Sequence, residues 1–143
     1  MSILLVENNP NDEKLALMAF QQKHPRVPIM ILRNGHDALD YLLGEQEITP
    51  PKLILLDLKM PRINGLEVLR RIRQHNRTRW IPVIILSSSA EPEDMEQAYS
   101  LGANSYIRKP MDFEQFLLVV DYLTTYWLEI NEAPRQNISR TEM

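Results

Sequence analysis

The segment Leu53-Ile54-Leu55-Leu56-Asp57-Leu58-Lys59-Met60-Pro61 decides the fold class of this chain. Four consecutive apolar residues are followed by a carboxylate and, soon after, by a proline. This pattern is typical of a strand that is buried on both faces and ends at a polar edge. Strands of this kind belong to parallel sheets covered by helices on both sides. The segment therefore predicts an α/β protein.

Four further apolar runs of strand length stand at fairly even spacing, at residues 3–6, 27–32, 83–86 and, more weakly, 106–107. Between the runs, apolar residues recur with helical period. The markers of the five helical segments are Leu15, Met18 and Ala19; Ala38, Tyr41 and Leu42; Leu66, Leu69 and Ile72; Met95, Ala98 and Leu101; and Phe113, Phe116, Leu117, Val120 and Leu123. This alternation predicts a (βα)5 doubly wound, five-stranded parallel sheet with right-handed crossovers.

The composition is that of an ordinary globular domain, with 44% hydrophobic and 24% charged residues among 143. The 16 basic and 19 acidic side chains give a formal net charge of −3, which provides no general attraction to nucleic acid or to an anionic membrane. We expect one domain over residues 1–130 and a polar, flexible tail over residues 131–143.

Cysteine is absent from the sequence, which excludes disulfides, thiolate catalysis and cysteine metal sites. The apolar run at residues 3–6 is too short for a signal peptide or a membrane span. We therefore expect a cytoplasmic protein without a membrane partner.

Polar side chains stand directly after four of the predicted strands. They are Glu7 and Asn8 after the first, Asp57 after the third, Ser87 to Ser89 after the fourth, and Lys109 with Pro110 after the fifth. Taken singly, each has an ordinary explanation as a turn residue, a helix cap or a solvated charge. Taken together, they fall at the carboxyl edge of the sheet, where doubly wound folds bind ligands. Their joint placement favours a functional site.

The residue types at this edge suit a phosphate and a divalent cation. Two carboxylates and an amide oxygen make a hard oxygen site for Mg²⁺, which binds few protein ligands and keeps several waters. Lys109 supplies a compact positive charge, and the Ser87 hydroxyl can donate to a phosphate oxygen. A phosphoryl group bound here would find a partner for each of its oxygens.

Four segments together resemble the response-regulator receiver (CheY-like) family over residues 2–125. They are Ile3-Leu4-Leu5-Val6-Glu7-Asn8-Asn9-Pro10, Leu53-Ile54-Leu55-Leu56-Asp57-Leu58-Lys59-Met60-Pro61 with Asn64-Gly65, Pro82-Val83-Ile84-Ile85-Leu86-Ser87, and Gly102-Ala103-Asn104-Ser105-Tyr106-Ile107-Arg108-Lys109-Pro110. The resemblance implies a flavodoxin-like strand order 2-1-3-4-5 and a phosphoacceptor at Asp57. It also implies the other roles: Glu7 in the acidic, metal-binding pocket, the Lys59 backbone carbonyl as a metal ligand, Lys109, Ser87 and Ser88 as phosphate-binding residues, and Ser87 with Tyr106 as the switch pair.

Asn8 departs from the family pattern. Receivers of this type have an acidic pair after the first strand, and the second acid is ordinarily a direct metal ligand. The amide oxygen of Asn8 can still coordinate Mg²⁺, but it lacks the full negative charge. We therefore expect weaker Mg²⁺ binding and a slower or less Mg²⁺-dependent phosphorylation, while Glu7 and Asp57 keep the site acidic.

The resemblance implies a stand-alone two-component response regulator, which is not an enzyme although it assists its own phosphorylation and dephosphorylation. A sensor histidine kinase would phosphorylate Asp57, and the phosphoryl group would draw in Ser87 and Lys109. Tyr106 would then rotate inward into the space that Ser87 leaves and alter the face made by helix four, strand five and helix five. The signal would leave by contact with an effector or a histidine phosphotransfer protein.

A narrower resemblance connects the loop at residues 44–52 and the segment Tyr126-Trp127-Leu128-Glu129 with the small regulators that partner phytochrome-type histidine kinases. In that subgroup the extended last helix contributes to a homodimer, and the aromatic pair would suit such a contact. The alternative is that the two rings cover the core of their own domain. The sequence leaves both open.

Two other functions compete with phosphotransfer. A phosphorylation-independent interaction module would keep the fold and use its helix-five surface constitutively, and Asn8 favours this function. A flavodoxin-like enzyme or cofactor binder would share the fold class. However, no glycine-rich phosphate loop follows the first strand, and Glu7 would repel a phosphate there in the absence of metal.

The remaining charged residues predict no further site. His24, His36 and His75 stand at helix ends or in loops without a metal-binding spacing, and we expect all three at the surface. Six arginines make the region of the third helix basic, and we interpret them as a solvated face rather than a DNA-binding surface. They are Arg62, Arg70, Arg71, Arg73, Arg77 and Arg79.

Overall fold

The computed structural model describes residues 2–134, which form five strands alternating with five helices. The strands are β1 (Ile3–Val6), β2 (Ile29–Leu32), β3 (Leu53–Leu56), β4 (Val83–Ser87) and β5 (Ser105–Arg108). The helices are α1 (Pro10–Lys23), α2 (Gly35–Leu43), α3 (Gly65–Gln74), α4 (Pro92–Ser100) and α5 (Phe113–Thr124), and a π-helical segment, Thr125–Ile130, continues α5. No helix in this part of the chain is long and apolar enough to cross a membrane.

The strands form one parallel sheet in the order β2-β1-β3-β4-β5. Ile3 pairs with Ile29 on one side and with Leu53 on the other. The predicted (βα)5 fold class and the strand order 2-1-3-4-5 are therefore confirmed. Strand order reverses between β1 and β3, so their carboxyl ends form the crevice in which doubly wound folds bind ligands.

Two hydrophobic cores lie on opposite faces of the sheet because consecutive strand residues point to opposite sides. In β3, Ile54 and Leu56 pack with α2, α3 and α4, whereas Leu53 and Leu55 pack with α1 and α5. All four side chains are buried, and each contributes about 1.5–3 kcal/mol relative to an exposed position. Burial on both faces explains why the apolar residues of this strand are consecutive.

Three strands differ from their predicted bounds. β5 (Ser105–Arg108) extends one residue beyond the predicted 106–107 at each end, and the differences in β2 and β4 have their cause in backbone hydrogen bonding. β2 begins at Ile29 rather than at residue 27, since Pro28 has no N–H to donate to the sheet. The Pro28 carbonyl instead accepts hydrogen bonds from the amides of Ser2 and Ile3, each over 3.2 Å. β4 runs one residue further than predicted and includes Ser87, which pairs with Arg108 of β5. Ser87 is therefore a strand residue and not the start of a loop.

The prediction that all three histidines lie at the surface is wrong for two of them. His24 is mostly buried, and its Nε2 lies 2.8 Å from Asp121 Oδ1, which ties the end of α1 to α5. His75 is half-buried and accepts a hydrogen bond at Nδ1 from the backbone N–H of Arg77 over 3.2 Å. Only His36 is exposed.

Arg73 does not belong to the predicted solvated basic face. Its guanidinium donates to the carbonyls of Ile81, at 2.7 Å, and Gly102, at 2.9 Å, and to Asn104 Oδ1 at 2.8 Å. These bonds connect α3 with the segments before β4 and β5. Arg73 therefore has a structural role, because it satisfies carbonyls that the helix and strand ladders leave unpaired.

The π-helical segment places its two aromatic rings in different environments. Trp127 packs against the core shared by α1 and α5, whereas Tyr126 remains 47% exposed. Their rings meet edge to face with centroids 4.9 Å apart. The helical structure ends at Ile130, the residue at which we predict the domain to end. Of the predicted tail at residues 131–143, the part from residue 135 onward lies outside the described residues.

Candidate functional site

Glu7, Asp57 and Lys109 stand at the carboxyl ends of β1, β3 and β5. Each continues the sheet by one backbone hydrogen bond beyond its strand: Glu7 to the Leu32 carbonyl at 3.0 Å, Asp57 to Val6 at 3.1 Å and Lys109 to Ser87 at 2.8 Å. The sheet ladder therefore fixes the backbone of all three residues. Their side chains meet at the edge of the crevice, as the sequence predicts.

The Lys109 ammonium group contacts three carboxylates. Its Nζ lies 2.9 Å from Glu7 Oε1, 3.5 Å from Asp57 Oδ2 and 2.7 Å from Asp12 Oδ2. Glu7 and Asp57 are buried, and Lys109 is largely so. A buried cation among carboxylates is well placed to receive the negative charge of a phosphoryl group.

Burial and charge shift the protonation of this cluster. Burial raises the pKa of Glu7 to about 7, and the neighbouring charge of Asp57 adds to this effect, while the hydrogen bond with Lys109 opposes it. Burial also disfavours the charged form of Lys109, but the hydrogen bonds with Asp12 and Glu7 and the charge of Asp57 outweigh it and raise the pKa of Lys109. Lys109 is therefore held as a cation, and the pocket retains an excess of negative charge.

Asp57 is held by the loop that follows β3 and by the start of α3. Asp57 Oδ1 accepts a hydrogen bond from the Lys59 amide over 3.3 Å. The start of α3 approaches so closely that a Cβ atom at Gly65 would lie 2.2 Å from the Asp57 backbone oxygen. Gly65 is therefore required for the close packing of α3 under the candidate phosphoacceptor.

The donor set at this edge fits a divalent cation. Glu7 and Asp57 provide two buried carboxylates, and a cation between them would offset both the cost of burying these charges and their mutual repulsion. Within residues 2–134, no group of three or more His, Asp or Glu side chains is placed to hold a metal ion. Two carboxylates, a backbone carbonyl and waters still form a set that Mg²⁺ accepts.

Asn8 is exposed and points toward the neighbouring strand. Its Nδ2 donates to the carbonyl of Arg33, the residue after β2, over 3.3 Å. An aspartate at this position could not make that bond, since a carboxylate only accepts. This hydrogen bond turns the Asn8 side chain toward β2, and the side chain would have to give up the bond to turn toward a metal ion beside Glu7 and Asp57.

The predicted phosphate-binding serines occupy different environments. Ser87 is fully buried at the end of β4, and its Oγ accepts a hydrogen bond from the Ser89 amide over 3.2 Å. Ser88 is exposed and lines an open cleft together with Lys109, Pro110 and Met111. Both serines lie at the same edge as Asp57.

Tyr106 is already anchored beside the loop that follows β4. Its hydroxyl donates to the Ser89 carbonyl over 2.9 Å, and its ring packs against the core of α2, α3 and α4. The switch pair is connected through Ser89, which contacts both residues. The rotation of Tyr106 on phosphorylation stays a prediction.

Two residues of this network escaped the sequence analysis, Asp12 and Asp94, and Ser89 was placed at the sheet edge without a role of its own. The Ser89 hydroxyl donates to Asp94 Oδ2 over 2.5 Å, and Lys59 Nζ lies 3.5 Å from the same oxygen. Asp12 and Asp94 stand in the first turns of α1 and α4, where acids are favoured in any helix. Only the packing of these helices against the sheet edge distinguishes them.

Sequence comparison gives matches over most of the chain. A sequence model of the family described as response regulator receiver domain matches residues 3–121. The chain is 40% identical over 136 residues to the probable methanogenesis regulatory protein FilR2 of Methanothrix harundinacea, covering 92% of this chain and 86% of FilR2. It is 35% identical over 135 residues to the response regulator Rcp1 of Synechocystis sp., covering 92% of each chain.

Solved structures of response regulators are also similar to this chain. The phosphorylated cyanobacterial phytochrome response regulator RcpA has a TM-score of 0.86 and 34% identity, over 94% of this chain and 98% of RcpA. The Mn²⁺-bound form of Rcp1 has a TM-score of 0.83 and 32% identity, over 94% of this chain and 99% of Rcp1.

Proposed function

Because the chain belongs to the response regulator receiver family, we propose that it is a phosphorylation switch whose phosphoryl group is carried on Asp57. The observation that carries this proposal is the convergence of three groups at one sheet edge. The buried carboxylates of Asp57 and Glu7 lie 3.5 and 2.9 Å from the Lys109 ammonium group. An acceptor carboxylate beside a fixed cation is the arrangement that phosphoryl transfer requires.

The proposed reaction transfers a phosphoryl group from a phosphohistidine of a sensor histidine kinase to a carboxylate oxygen of Asp57. The O–P bond forms in line as the P–N bond breaks, and the imidazole nitrogen leaves with the electron pair of that bond. Lys109 offsets the charge of the equatorial phosphoryl oxygens, and the Ser87 and Ser88 hydroxyls donate to them. The protein is thus a phosphoacceptor that assists its own phosphorylation and dephosphorylation, and not a turnover enzyme.

Glu7, Asp57 and the backbone carbonyl of Lys59 are the proposed ligands of a divalent cation, with Asn8 as a weaker contributor. When bound, Mg²⁺ would offset the charge of the transferring phosphoryl group. The Mn²⁺-bound structure of the relative Rcp1 supports the binding of a divalent cation. We expect weaker binding than usual because Asn8 is uncharged and donates to the Arg33 carbonyl.

The proposed output begins at Ser87. Attraction of its hydroxyl to the phosphoryl group would break the bond from the Ser89 amide. Ser89 would then shift together with Tyr106, whose hydroxyl it binds. This movement would reach the face formed by α4, β5 and α5, on which Tyr99, Met111 and Tyr122 are exposed. Exposed aromatic and methionine side chains suit a protein contact.

The proposed partner is a histidine kinase of the phytochrome type, since RcpA is a phytochrome response regulator. The receiving protein would be an effector or a histidine phosphotransfer protein. We further propose a homodimer through the C-terminal helical segment, where Tyr126 and Ile130 are exposed.

Incubation with phosphoramidate and Mg²⁺, followed by intact-mass spectrometry, tests the assignment. We expect one phosphoryl group on the native protein and none on Asp57→Asn. An unmodified native protein would contradict the proposal. It would support the alternative of a phosphorylation-independent interaction module, which the exposed and uncharged Asn8 favours.

A further inference from the structure

The shortest contact of the Lys109 ammonium group is not with the candidate phosphoacceptor. Its Nζ lies 2.7 Å from Asp12 Oδ2 but 3.5 Å from Asp57 Oδ2. We propose that Asp12 is a positioning residue that draws Lys109 away from Asp57 and competes with the phosphoryl group for it. This inference rests on the proposed function and concerns how readily the site accepts and keeps a phosphoryl group.

The start of α1 holds Asp12 in place. Asn9 caps the helix, with its Oδ1 accepting from the amides of Asn11, at 2.8 Å, and Asp12, at 3.2 Å. Pro10 fixes the backbone of the first helical residue. The Asp12 carboxylate is therefore presented at the sheet edge by a rigid helix start and not by a loop.

The charges of the cluster explain the competition. Within residues 2–134, Lys109 is the single cationic side chain within 4.0 Å of the carboxylates of Glu7, Asp12 and Asp57. A phosphoryl group would bring about two negative charges to Asp57, and Lys109 would have to shift from Asp12 to bind it. Asp12 would also repel the incoming dianion. Removing the Asp12 carboxylate should therefore favour the phosphorylated state.

A matched pair of substitutions isolates this effect. Asp12→Asn and Glu13→Gln each remove one negative charge from the first turn of α1. Glu13 forms an ion pair with Arg33 over 2.8 Å. Within residues 2–134, neither a hydrogen bond nor an ion pair joins Glu13 to Lys109. Any general effect of charge near the helix start will appear in both variants, whereas the proposed effect is confined to Asp12.

The experiment measures the rate of phosphorylation by phosphoramidate at saturating Mg²⁺ and the rate of phosphoryl loss. We expect Asp12→Asn to be phosphorylated about two- to fivefold faster than the native protein, the range given by one partly exposed ion pair, and to lose the group more slowly. Asp12→Glu, which keeps a carboxylate, should restore rates near the native ones, and Glu13→Gln should match the native protein.

A second readout is independent of phosphorylation. The nuclear magnetic resonance signal of the Lys109 ammonium group should shift in Asp12→Asn and stay unchanged in Glu13→Gln, because only the first variant loses the contact over 2.7 Å. Equal rates or an unchanged Lys109 signal in Asp12→Asn, with a native protein that accepts a phosphoryl group, would overturn this inference and leave the assignment of Asp57 as phosphoacceptor in place. A native protein that accepts no phosphate would overturn both.

Discussion

The Ser89 hydroxyl donates to the Asp94 carboxylate over 2.5 Å, and this bond ties the loop after β4 to the first turn of α4. The Lys59 ammonium group lies 3.5 Å from the same carboxylate oxygen. Asp94 thus joins the loop that carries the candidate phosphoacceptor to the loop that anchors Tyr106. A helix start serves here as the connection between the site and its output face.

Asp94→Ala should loosen this connection. We expect a loss of about 1 kcal/mol in the free energy of unfolding, since one hydrogen bond to a partly exposed charged group disappears, and faster hydrogen exchange of the amides at residues 89–91. Asp94→Asn keeps an acceptor for Ser89 and should retain slower exchange than the alanine variant. Identical exchange in native protein and Asp94→Ala would contradict this role.

The free energy of unfolding should depend on pH through Glu7. Burial raises the pKa of Glu7 from the ordinary 4.5 to about 7, so between these values the folded protein holds a proton that the unfolded chain releases. Stability therefore falls as pH rises through this window, by at most about 3 kcal/mol. Urea unfolding should show a flatter pH profile for Glu7→Gln, with Glu13→Gln as a control that keeps the native profile.

Asn8→Asp should strengthen Mg²⁺ binding. The new carboxylate cannot donate to the Arg33 carbonyl as Asn8 does, and repulsion from that oxygen would favour its turning toward the cation. We expect about a tenfold gain in affinity, equivalent to about 1.4 kcal/mol, in a calorimetric titration. Equal affinities would show that the asparagine is silent.

Tyr126 and Trp127 should separate dimerisation from stability. Trp127→Ala removes a ring that packs on the core of α1 and α5 and should cost about 1–3 kcal/mol in the free energy of unfolding. Tyr126→Ala should leave stability within about 0.5 kcal/mol but reduce the hydrodynamic mass from dimer to monomer. A native protein that sediments as a monomer would exclude the dimer.

The fold could be predicted from the sequence because a strand that is buried on both faces has apolar residues at consecutive positions. The run at residues 53–56 predicted β3 at its observed bounds, and the polar residues after the strands predicted where Glu7, Asp57 and Lys109 meet. Parallel pairing alone brings the carboxyl ends of these strands together. Local pattern and global topology agree at these positions.

The side-chain contacts between elements could not be predicted, because no local sequence pattern accompanies them. His24 pairs with an aspartate 97 positions away in the chain, and Arg73 binds backbone carbonyls, which any sequence supplies. Asp12 follows the usual preference for acids in a first helical turn, so its contact with Lys109 depends on how α1 packs on the sheet. Tyr106 was identified as a switch residue, but its bond to Ser89 depends on loop geometry.

The two cores on opposite faces of the sheet each contribute one helix to the proposed output face. Tyr106 and α4 belong to the face covered by α2, α3 and α4, whereas Trp127 packs on the face covered by α1 and α5. A rearrangement that starts at Ser89 and Tyr106 begins on the first of these faces, whereas α5, which also belongs to the proposed output face, packs on the second and continues into the π-helical segment. We therefore expect a change at the output face to reach a dimer built on the π-helical segment through α5.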